Sequence, residues 1–280
     1  MTIANLGQAP EANQRHLMKK QVLTIAGSDS GGGAGIQADL KAMSAHGVFG
    51  MSVITSITAQ NTMGVTAVHD LPLSIIEAQM EAIFSDFEVA AVKTGMLSTA
   101  DIVKTVSAKL GEKQVKNLVV DPVMVAKGGQ LLLQNDAMTK LKTDLIPIAL
   151  VVTPNIYEAE LLANTKIHTL AEARQAAKSI HKFGCGNVLI KGGHLQERPG
   201  TDLLYDGRFF RMYSGEFIHT PNTHGTGCTY ASTITANLAK GLPLPEAIEA
   251  AKTYLTEAIR HSLAIGHGHG PTNPFYFLPE

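Results

Sequence analysis

Residues 22–35 read VLTIAGSDSGGGAG, a short apolar run that ends in a glycine-rich turn. A helical pattern follows over 36–45 and is stopped by Gly47. A strand that leads through such a turn into a helix is the repeating unit of α/β folds. Five more short β-branched runs alternate with helical patterns, at 52–55, 90–93, 118–120, 149–153 and 188–190. The sequence therefore predicts a mostly parallel central sheet with helices on both faces.

Two local signals add detail to this architecture. Thr169 and Glu172 fit a capping box, which predicts that a helix begins immediately after Thr169. The dipeptide Asp206-Gly207 lies between two extended runs within 203–211 and is typical of a tight β-hairpin. We therefore expect an antiparallel hairpin at one edge of the sheet.

The composition describes an ordinary globular chain. Its 280 residues are 45% hydrophobic and 17% charged, and no repeat or linker divides them. We expect a flexible N-terminal arm over 1–20 and a single domain over 21–280. The formal net charge of −1 provides no overall field for nucleic acid or an anionic membrane. No apolar run reaches the roughly 20 residues of a spanning helix, so the expected location is cytoplasmic. Cys185 and Cys228 form neither a disulfide framework nor a zinc motif.

The first glycine-rich turn, 26–35, is a candidate ligand site because it precedes a helix N-terminus. It lacks the acidic residue about 20 positions later that a dinucleotide-binding fingerprint requires, and the chain has no GxxxxGK[ST] phosphate-binding loop. A plain surface turn is the alternative interpretation. Five glycines in ten residues nevertheless exceed what such a turn needs.

The second glycine-rich turn, 223–229, precedes a helix predicted over about 226–240. Gly225 and Gly227 allow successive backbone N–H groups to converge, and the helix start adds partial positive charge. This combination suits a transferring phosphoryl group. Cys228 lies where the ionised form of a thiol is favoured, so it is either a base or a small buried hydrophobic residue.

Eight short segments stand out along the chain: AGSDSGGGAGIQAD (26–39), TAQNT (58–62), KTGM (93–96), DPVM (121–124), TPNIYE (153–158), KGGH (191–194), HGTGC (224–228) and GHGP (268–271). In this order they resemble the hydroxymethylpyrimidine/phosphomethylpyrimidine kinases, a branch of the ribokinase-like superfamily. Most ribokinase-like sugar kinases have Asp where this chain has Cys228, and the cysteine is typical of the pyrimidine branch.

The resemblance implies a ribokinase-like three-layer sandwich, with a mostly parallel sheet, helices on both faces and an antiparallel edge hairpin. It implies ATP-dependent phosphorylation of 4-amino-5-hydroxymethyl-2-methylpyrimidine, and then of its monophosphate to the diphosphate, in thiamine biosynthesis. ATP and Mg²⁺ are the implied cofactors, and a homodimer is the implied assembly. Phosphoryl transfer needs in-line positioning and charge neutralisation more than covalent help.

The resemblance also implies roles for individual residues. The catalytic group comprises Gly225, Thr226, Gly227 and Cys228, whose amides would receive the γ-phosphoryl group. Cys228 would in addition take the proton of the hydroxymethyl oxygen.

Metal and nucleotide roles follow in the same way. Asp121 and Glu158 would hold Mg²⁺, because this ion prefers few carboxylates together with phosphate oxygens and water. The alternatives are a strand-end turn residue for Asp121 and a solvated helix charge for Glu158. The residues implied to line the nucleotide phosphates are Thr153, Asn155 and Lys191. A lone lysine after a strand is otherwise usually solvent-facing.

For the pyrimidine, the resemblance points to Gln60, whose amide can both donate to and accept from an aminopyrimidine edge. Asp29 would hydrogen-bond the ring or its amine, and its alternative is a turn-stabilising role. Val53 and Met96 would supply apolar contacts, although both equally fit core packing. Residues 127–130 would form a mobile flap over the site.

Two other functions stay open from the sequence. A pyridoxal-type kinase acts on a similar hydroxymethyl group on a flat nitrogen ring. A non-catalytic nucleotide-binding sensor would use the same scaffold, although it would need no base at Cys228. His267 and His269 have no third ligand nearby in the sequence, which disfavours a metal site there.

Overall fold

The computed structural model describes residues 19–125, 129, 132–193, 195 and 197–279. Its strands are β1 (Gln21–Asp29), β2 (Phe49–Asn61), β3 (Gly64–Asp70), β4 (Val89–Thr94), β5 (Leu118–Val120), β6 (Val151–Val152), β7 (Val188–Ile190), β8 (Thr201–Tyr205) and β9 (Phe210–Ser214). Within the described residues these nine strands form one sheet in the order β3-β2-β1-β4-β5-β6-β7-β8-β9. Pairing is parallel from β2 to β7 and antiparallel where β3, β8 and β9 join.

Helices cover both faces of the sheet. They are α1 (Gly35–Ala45), α2 (Leu73–Asp86), α3 (Ala100–Glu112), α4 (Asn135–Lys140), α5 (Ile156–Ala163), α6 (Leu170–His181), α7 (Thr226–Ala239) and α8 (Leu244–Arg260). After α4 the chain continues through a π-helical turn, Leu141–Leu145, and a 3-10 turn, Ile146–Ile148. Helices α2 to α6 pack on one face, and α1, α7 and α8 pack on the other.

Strand β5 shows why the sheet is buried on both faces. Leu118 and Val120 belong to the core beneath α2 to α6, whereas Val119 belongs to the core beneath α7 and α8. Because alternate residues of a strand point to opposite faces, an uninterrupted apolar run fits a sheet covered on both sides. The predicted three-layer α/β sandwich is confirmed.

The capping box predicted at α6 is present. The Thr169 hydroxyl accepts a hydrogen bond from the Glu172 amide at 3.2 Å, and the Glu172 carboxylate accepts one from the Thr169 amide at 2.9 Å. These reciprocal bonds satisfy two amides that have no carbonyl one turn back, so the helix begins where the sequence predicts.

The antiparallel hairpin is also confirmed, but its turn is longer than the tight turn expected. Tyr205 pairs with Phe210, so four residues connect β8 to β9. The Asp206 carboxylate accepts hydrogen bonds from the amides of Arg208 and Phe209, at 2.8 and 2.6 Å. Asp206 therefore stabilises a four-residue loop by accepting hydrogen bonds from backbone amides within that loop.

A second antiparallel hairpin, β2 to β3, has no counterpart in the sequence prediction. Most side chains of β3 are exposed, so this edge strand lacks the buried alternation that identifies strands in a sequence. It widens the sheet beside the turn that follows β1.

The carboxyl ends of the parallel strands all meet at one edge of the sheet, and α1 and α5 begin nearby. The candidate site residues are therefore expected at this edge. No helix in the described part of the chain is long and apolar enough to span a membrane. The single domain over 21–280 stays a prediction, and most of the predicted arm, residues 1–18, lies outside the described residues.

Candidate active site

The two glycine-rich turns lie directly against each other. Gly225, the residue before α7, has a φ of +74°, and a Cβ there would stand 1.8 Å from the carbonyl oxygen of Gly33. A Cβ on Gly33 would in turn lie 2.4 Å from Cδ2 of His224. Both positions therefore require glycine, and the start of α7 is held against the turn that precedes α1.

Asp29 is fully engaged in holding the first turn. Its Oδ1 accepts from the Gly31 amide at 2.8 Å, and its Oδ2 accepts from the Gly33 and Ala34 amides at 3.0 and 2.8 Å. Nε2 of His224 lies 2.8 Å from Oδ2. Burial alone would raise the pKa of Asp29, but the hydrogen bonds from His224 and the amides hold it below its usual value. This geometry favours the turn-stabilising interpretation over a direct contact with the pyrimidine.

His224 is a site residue that the sequence reasoning missed. It is 7% exposed, and its Nε2, which donates to Asp29, also lies 3.4 Å from Nε2 of Gln60. Oε1 of the Gln60 side chain accepts a hydrogen bond from the Thr58 hydroxyl at 3.0 Å. The only signal in the sequence was the position of His224 immediately before Gly225. The structure thus places the half-buried amide of Gln60 beside the two joined turns.

The amides at the start of α7 are not all available to a ligand. The Thr226 amide donates to the Thr223 carbonyl at 3.3 Å, and the Thr226 hydroxyl donates to the same oxygen at 2.7 Å. The Gly227 and Cys228 amides have no helical carbonyl one turn back, because α7 begins at Thr226. An anion at this helix start would meet the Gly227 and Cys228 amides rather than that of Thr226.

The Cys228 thiol lies in polar surroundings but does not have the lowered pKa that its place on the helix predicts. Burial raises the pKa of Cys228 to about 12, the carboxylates of Asp39 and Asp121 act in the same direction, and the Lys93 ammonium opposes them. Burial and two carboxylates therefore act against the thiolate that the helix terminus favours.

A fully buried ammonium stands at the centre of this cluster. Nζ of Lys93 lies 3.0 and 2.9 Å from the two carboxylate oxygens of Asp39, and neither residue is exposed. Asp39 also accepts from the hydroxyls of Thr24, at 2.6 Å, and Ser232, at 2.7 Å. Burial would lower the pKa of Lys93, but the Asp39 carboxylate raises it above its usual value. Ser232 is one helical turn after Cys228, so both face the Asp39–Lys93 pair. Lys93 lies in the KTGM segment (93–96), but the sequence analysis assigned it no role.

Asp121 and Lys191 form a second, largely buried ion pair next to the second glycine-rich turn. Their Oδ1–Nζ distance is 2.7 Å, and the Thr153 hydroxyl donates to the same oxygen at 3.0 Å. Burial would raise the pKa of Asp121, but Lys191 and Lys93 hold it below its usual value. A Cβ on Gly227 would lie 3.2 Å from Nζ of Lys191. Lys191 therefore points at the start of α7 and not at solvent.

Glu158 belongs to the same region through a capping box at the start of α5. Its Oε2 accepts from the Asn155 amide at 2.8 Å, and the Asn155 side chain accepts from the Glu158 amide at 2.9 Å. Burial and the charge of Asp121 raise the pKa of Glu158 to about 7, although Lys191 opposes this shift. Glu158 is 4% exposed, so it is not a solvated helix charge.

Asp121 and Glu158 fit a magnesium site because a divalent cation would relieve their mutual repulsion. Among the described residues no group of three or more His, Cys, Asp or Glu side chains is arranged to hold a metal ion. The two carboxylates alone would leave most positions to phosphate oxygens and water, as Mg²⁺ prefers.

The two apolar candidates differ in position. Val53 pairs in register with Ile25 and lies wholly inside the main core, which favours packing over substrate contact. The Met96 side chain reaches the first glycine-rich turn, since a Cβ on Gly27 would stand 2.6 Å from its Cε. Met96 is therefore the apolar side chain of this pair that borders the site.

Two further expectations concern the flap and the tail. Residues 127, 128 and 130 of the predicted flap lie outside the described residues. His269 donates its backbone amide to the Thr62 carbonyl at 2.8 Å, and its Nδ1 lies 2.9 Å from the Pro221 carbonyl. The tail therefore packs beside β2 through backbone contacts.

Comparison with known proteins identifies close relatives. A family model described as phosphomethylpyrimidine kinase matches residues 29–273. A hydroxymethylpyrimidine/phosphomethylpyrimidine kinase of Haemophilus influenzae is 54% identical over 259 residues, which are 91% of this chain and 96% of that protein. The enzyme of the same name from Bacillus subtilis is 48% identical, over 92% of this chain and 95% of its own length.

Solved structures agree. A phosphomethylpyrimidine kinase of Clostridium difficile superposes with a TM-score of 0.77 at 47% identity, covering 86% of this chain and all of that one (100%). A Bacillus subtilis pyridoxal kinase in complex with ADP superposes with a TM-score of 0.87 at 42% identity, covering 92% and 98% of the two chains.

Proposed function

The chain belongs to the phosphomethylpyrimidine kinase family, and on this premise we propose which of its residues carry out the reaction. It is a hydroxymethylpyrimidine/phosphomethylpyrimidine kinase of thiamine biosynthesis. ATP supplies a phosphoryl group first to the hydroxymethyl oxygen of 4-amino-5-hydroxymethyl-2-methylpyrimidine, and then to the monophosphate. The observation that supports our assignment is the convergence of Cys228, Lys191 and Asp121 at the start of α7.

The start of α7 is the proposed cradle for the transferring phosphoryl group. The Gly227 and Cys228 amides donate to its oxygens, and the Lys191 ammonium compensates the charge of these oxygens and of the adjoining phosphates of the nucleotide. Glycine at 227 brings the backbone close to that ammonium, since a Cβ would lie 3.2 Å from Nζ. Lys191, Thr153 and Asn155 are the proposed nucleotide contacts, of which Thr153 and Asn155 act mainly by holding Asp121 and Glu158.

Asp121 and Glu158 are the proposed magnesium residues. The ion, when bound, neutralises charge on the phosphates of ATP. Burial and the negative charge of Asp121 raise the pKa of Glu158 to about 7, and a divalent cation would offset both effects. Lys191 already occupies one oxygen of Asp121 and keeps this carboxylate ionised and oriented.

Cys228 is the proposed proton acceptor. As the bond from the hydroxymethyl oxygen to phosphorus forms, the proton of that oxygen passes to the Cys228 sulfur, which must therefore be ionised beforehand. The Lys93 ammonium favours the thiolate form of Cys228, and Asp39 holds that ammonium in place.

The pyrimidine would lie between Gln60 and Met96. The Gln60 amide offers a donor and an acceptor to the aminopyrimidine edge, and the Thr58 hydroxyl donates to its oxygen from the protein side. Asp29 contributes indirectly by fixing His224 and the first turn. A homodimer and a cytoplasmic location remain further predictions.

A vitamin B6 kinase is the second candidate, supported by the similarity to the Bacillus subtilis pyridoxal kinase. A sensor without catalysis is disfavoured by the presence of Cys228, Lys191 and Asp121 together. The deciding experiment measures ADP release with ATP, Mg²⁺ and either the pyrimidine alcohol or pyridoxine. We expect a far larger kcat/KM for the pyrimidine. Equal or preferred use of pyridoxine would reverse the assignment, and turnover of neither would support the sensor.

A further inference from the structure

A buried carboxylate lies behind the proposed nucleotide-binding lysine and has no part in the chemistry above. Asp202, in β8, is 2% exposed. Its Oδ1 accepts a hydrogen bond from the Gly192 amide at 2.9 Å, and its Oδ2 lies 2.8 Å from Nζ of Lys252 in α8. Gly192 directly follows Lys191, so this carboxylate is one residue away from the phosphate site.

The backbone around Lys191 is fixed from two sides. The Lys191 amide donates to the Pro154 carbonyl at 2.8 Å, and the next amide, that of Gly192, donates to Asp202. A Cβ on Gly192 would stand 1.7 Å from the Thr201 carbonyl oxygen, so the turn lies directly against β8. With both amides held, the Lys191 side chain is directed at Asp121.

The other partner of Asp202 connects this turn to the helix that carries the anion-binding amides. Nζ of Lys252 lies 5.9 Å from the ring centroid of Tyr230, which is 1% exposed and two residues after Cys228 in α7. The Asp202–Lys252 pair therefore lies between the Lys191 turn and the start of α7. A carboxylate so deeply buried is costly unless it is compensated: here Lys252 balances its charge and the Gly192 amide bonds Oδ1, whereas Oδ2 has the ion pair but no hydrogen bond of good geometry.

We propose that Asp202 is a positioning residue for nucleotide binding, which orders the Lys191 turn so that the ammonium meets the phosphates of ATP. This inference rests on the proposed role of Lys191. The pyrimidine site at Gln60 and Met96 makes no contact with Asp202, so binding of the pyrimidine should not depend on it.

The test compares two ligands on four variants by isothermal titration. Asp202→Ala should raise the Kd of ADP about tenfold, the lower end of the effect expected for a residue that orients a ligand-binding group. The Kd of the pyrimidine alcohol should not change. Asp202→Asn retains an oxygen for the Gly192 amide and should recover most of the ADP affinity. Asp206→Ala, in the same hairpin but at its exposed turn, is the matched control and should change neither Kd.

The variant Lys191→Met tests the nucleotide site itself, separately from the positioning role of Asp202. If it leaves the ADP affinity unchanged, the proposed nucleotide site is wrong and the role of Asp202 falls with it. If Lys191→Met weakens ADP binding but Asp202→Ala does not, only the role of Asp202 is refuted. Equal weakening of ADP and pyrimidine in Asp202→Ala would indicate a purely structural role and also refute it.

A further variant covers the possibility that Asp202→Ala does not fold. Lys252→Met leaves Asp202 in place but removes its outer partner, whose side chain is 12% exposed. It should raise the Kd of ADP severalfold and leave the pyrimidine Kd unaltered. An unchanged Kd for ADP would overturn the proposal.

Discussion

Replacing Lys93 by methionine removes the buried ammonium at the centre of the site and leaves the rest of the side chain almost unchanged in volume. Asp39 would keep its hydrogen bonds from Thr24 and Ser232 but would hold an uncompensated charge with no exposure to solvent. Removing one partner of a buried ion pair typically costs about 3–5 kcal/mol. We therefore expect Lys93→Met to lower the free energy of unfolding by about that amount in urea titrations.

The double variant Lys93→Met/Asp39→Asn tests this reasoning. Thr24 and Ser232 donate to different oxygens of Asp39, so an asparagine would accept from one hydroxyl and donate its amide to the other. It leaves no buried charge, and the double variant should therefore be more stable than Lys93→Met. Lys109→Met is the control, because the contacts of Lys109 with Glu81 and Glu112 are largely exposed, and it should cause a far smaller loss. A double variant less stable than Lys93→Met would refute the claim that Lys93 compensates the buried charge of Asp39.

Three more predictions concern the reaction and its pH dependence. Cys228→Ala should lower kcat about 10²-fold or more and leave the affinity for ADP nearly unchanged; an unaltered kcat would remove the thiol from the mechanism. Gln60→Leu should raise the KM of the pyrimidine alcohol far more than that of ATP, because it leaves polar ring groups unpaired, and equal effects on both would contradict the assignment. Glu158, whose pKa rises from 4.5 to about 7 on folding, binds a proton in the native state that the unfolded chain has lost. Stability should therefore fall as pH rises from about 4.5 to about 7, and Glu158→Gln should flatten this slope in urea titrations; an identical slope in both proteins would contradict the shift.

Local features of the fold were predictable because their causes lie within a few residues. The capping box at Thr169 depends on a partner three residues later, and buried parallel strands such as β5 carry uninterrupted apolar runs. Strand β3 escaped prediction because its side chains are mostly exposed. The Asp206-Gly207 hairpin was predicted, but its turn length is set by hydrogen bonds to Asp206 that the dipeptide alone does not specify.

The site was less predictable because its pairs join distant parts of the chain. His224 meets Asp29 across 195 positions, and Lys93 meets Asp39 across 54, so no spacing in the sequence indicates either contact. The direction of the pKa shift of Cys228 was also not predictable from the sequence. Its position on α7 argues for a thiolate, but burial and carboxylates supplied by other elements decide the opposite direction.

A crystal structure with ADP, a phosphate analogue such as aluminium fluoride, Mg²⁺ and the pyrimidine alcohol would test the central claim most directly. We predict that the analogue is bound by the Gly227 and Cys228 amides and by Lys191, with the hydroxymethyl oxygen within hydrogen-bonding distance of the Cys228 sulfur. An analogue bound away from the start of α7, or an alcohol oriented away from that sulfur, would contradict it.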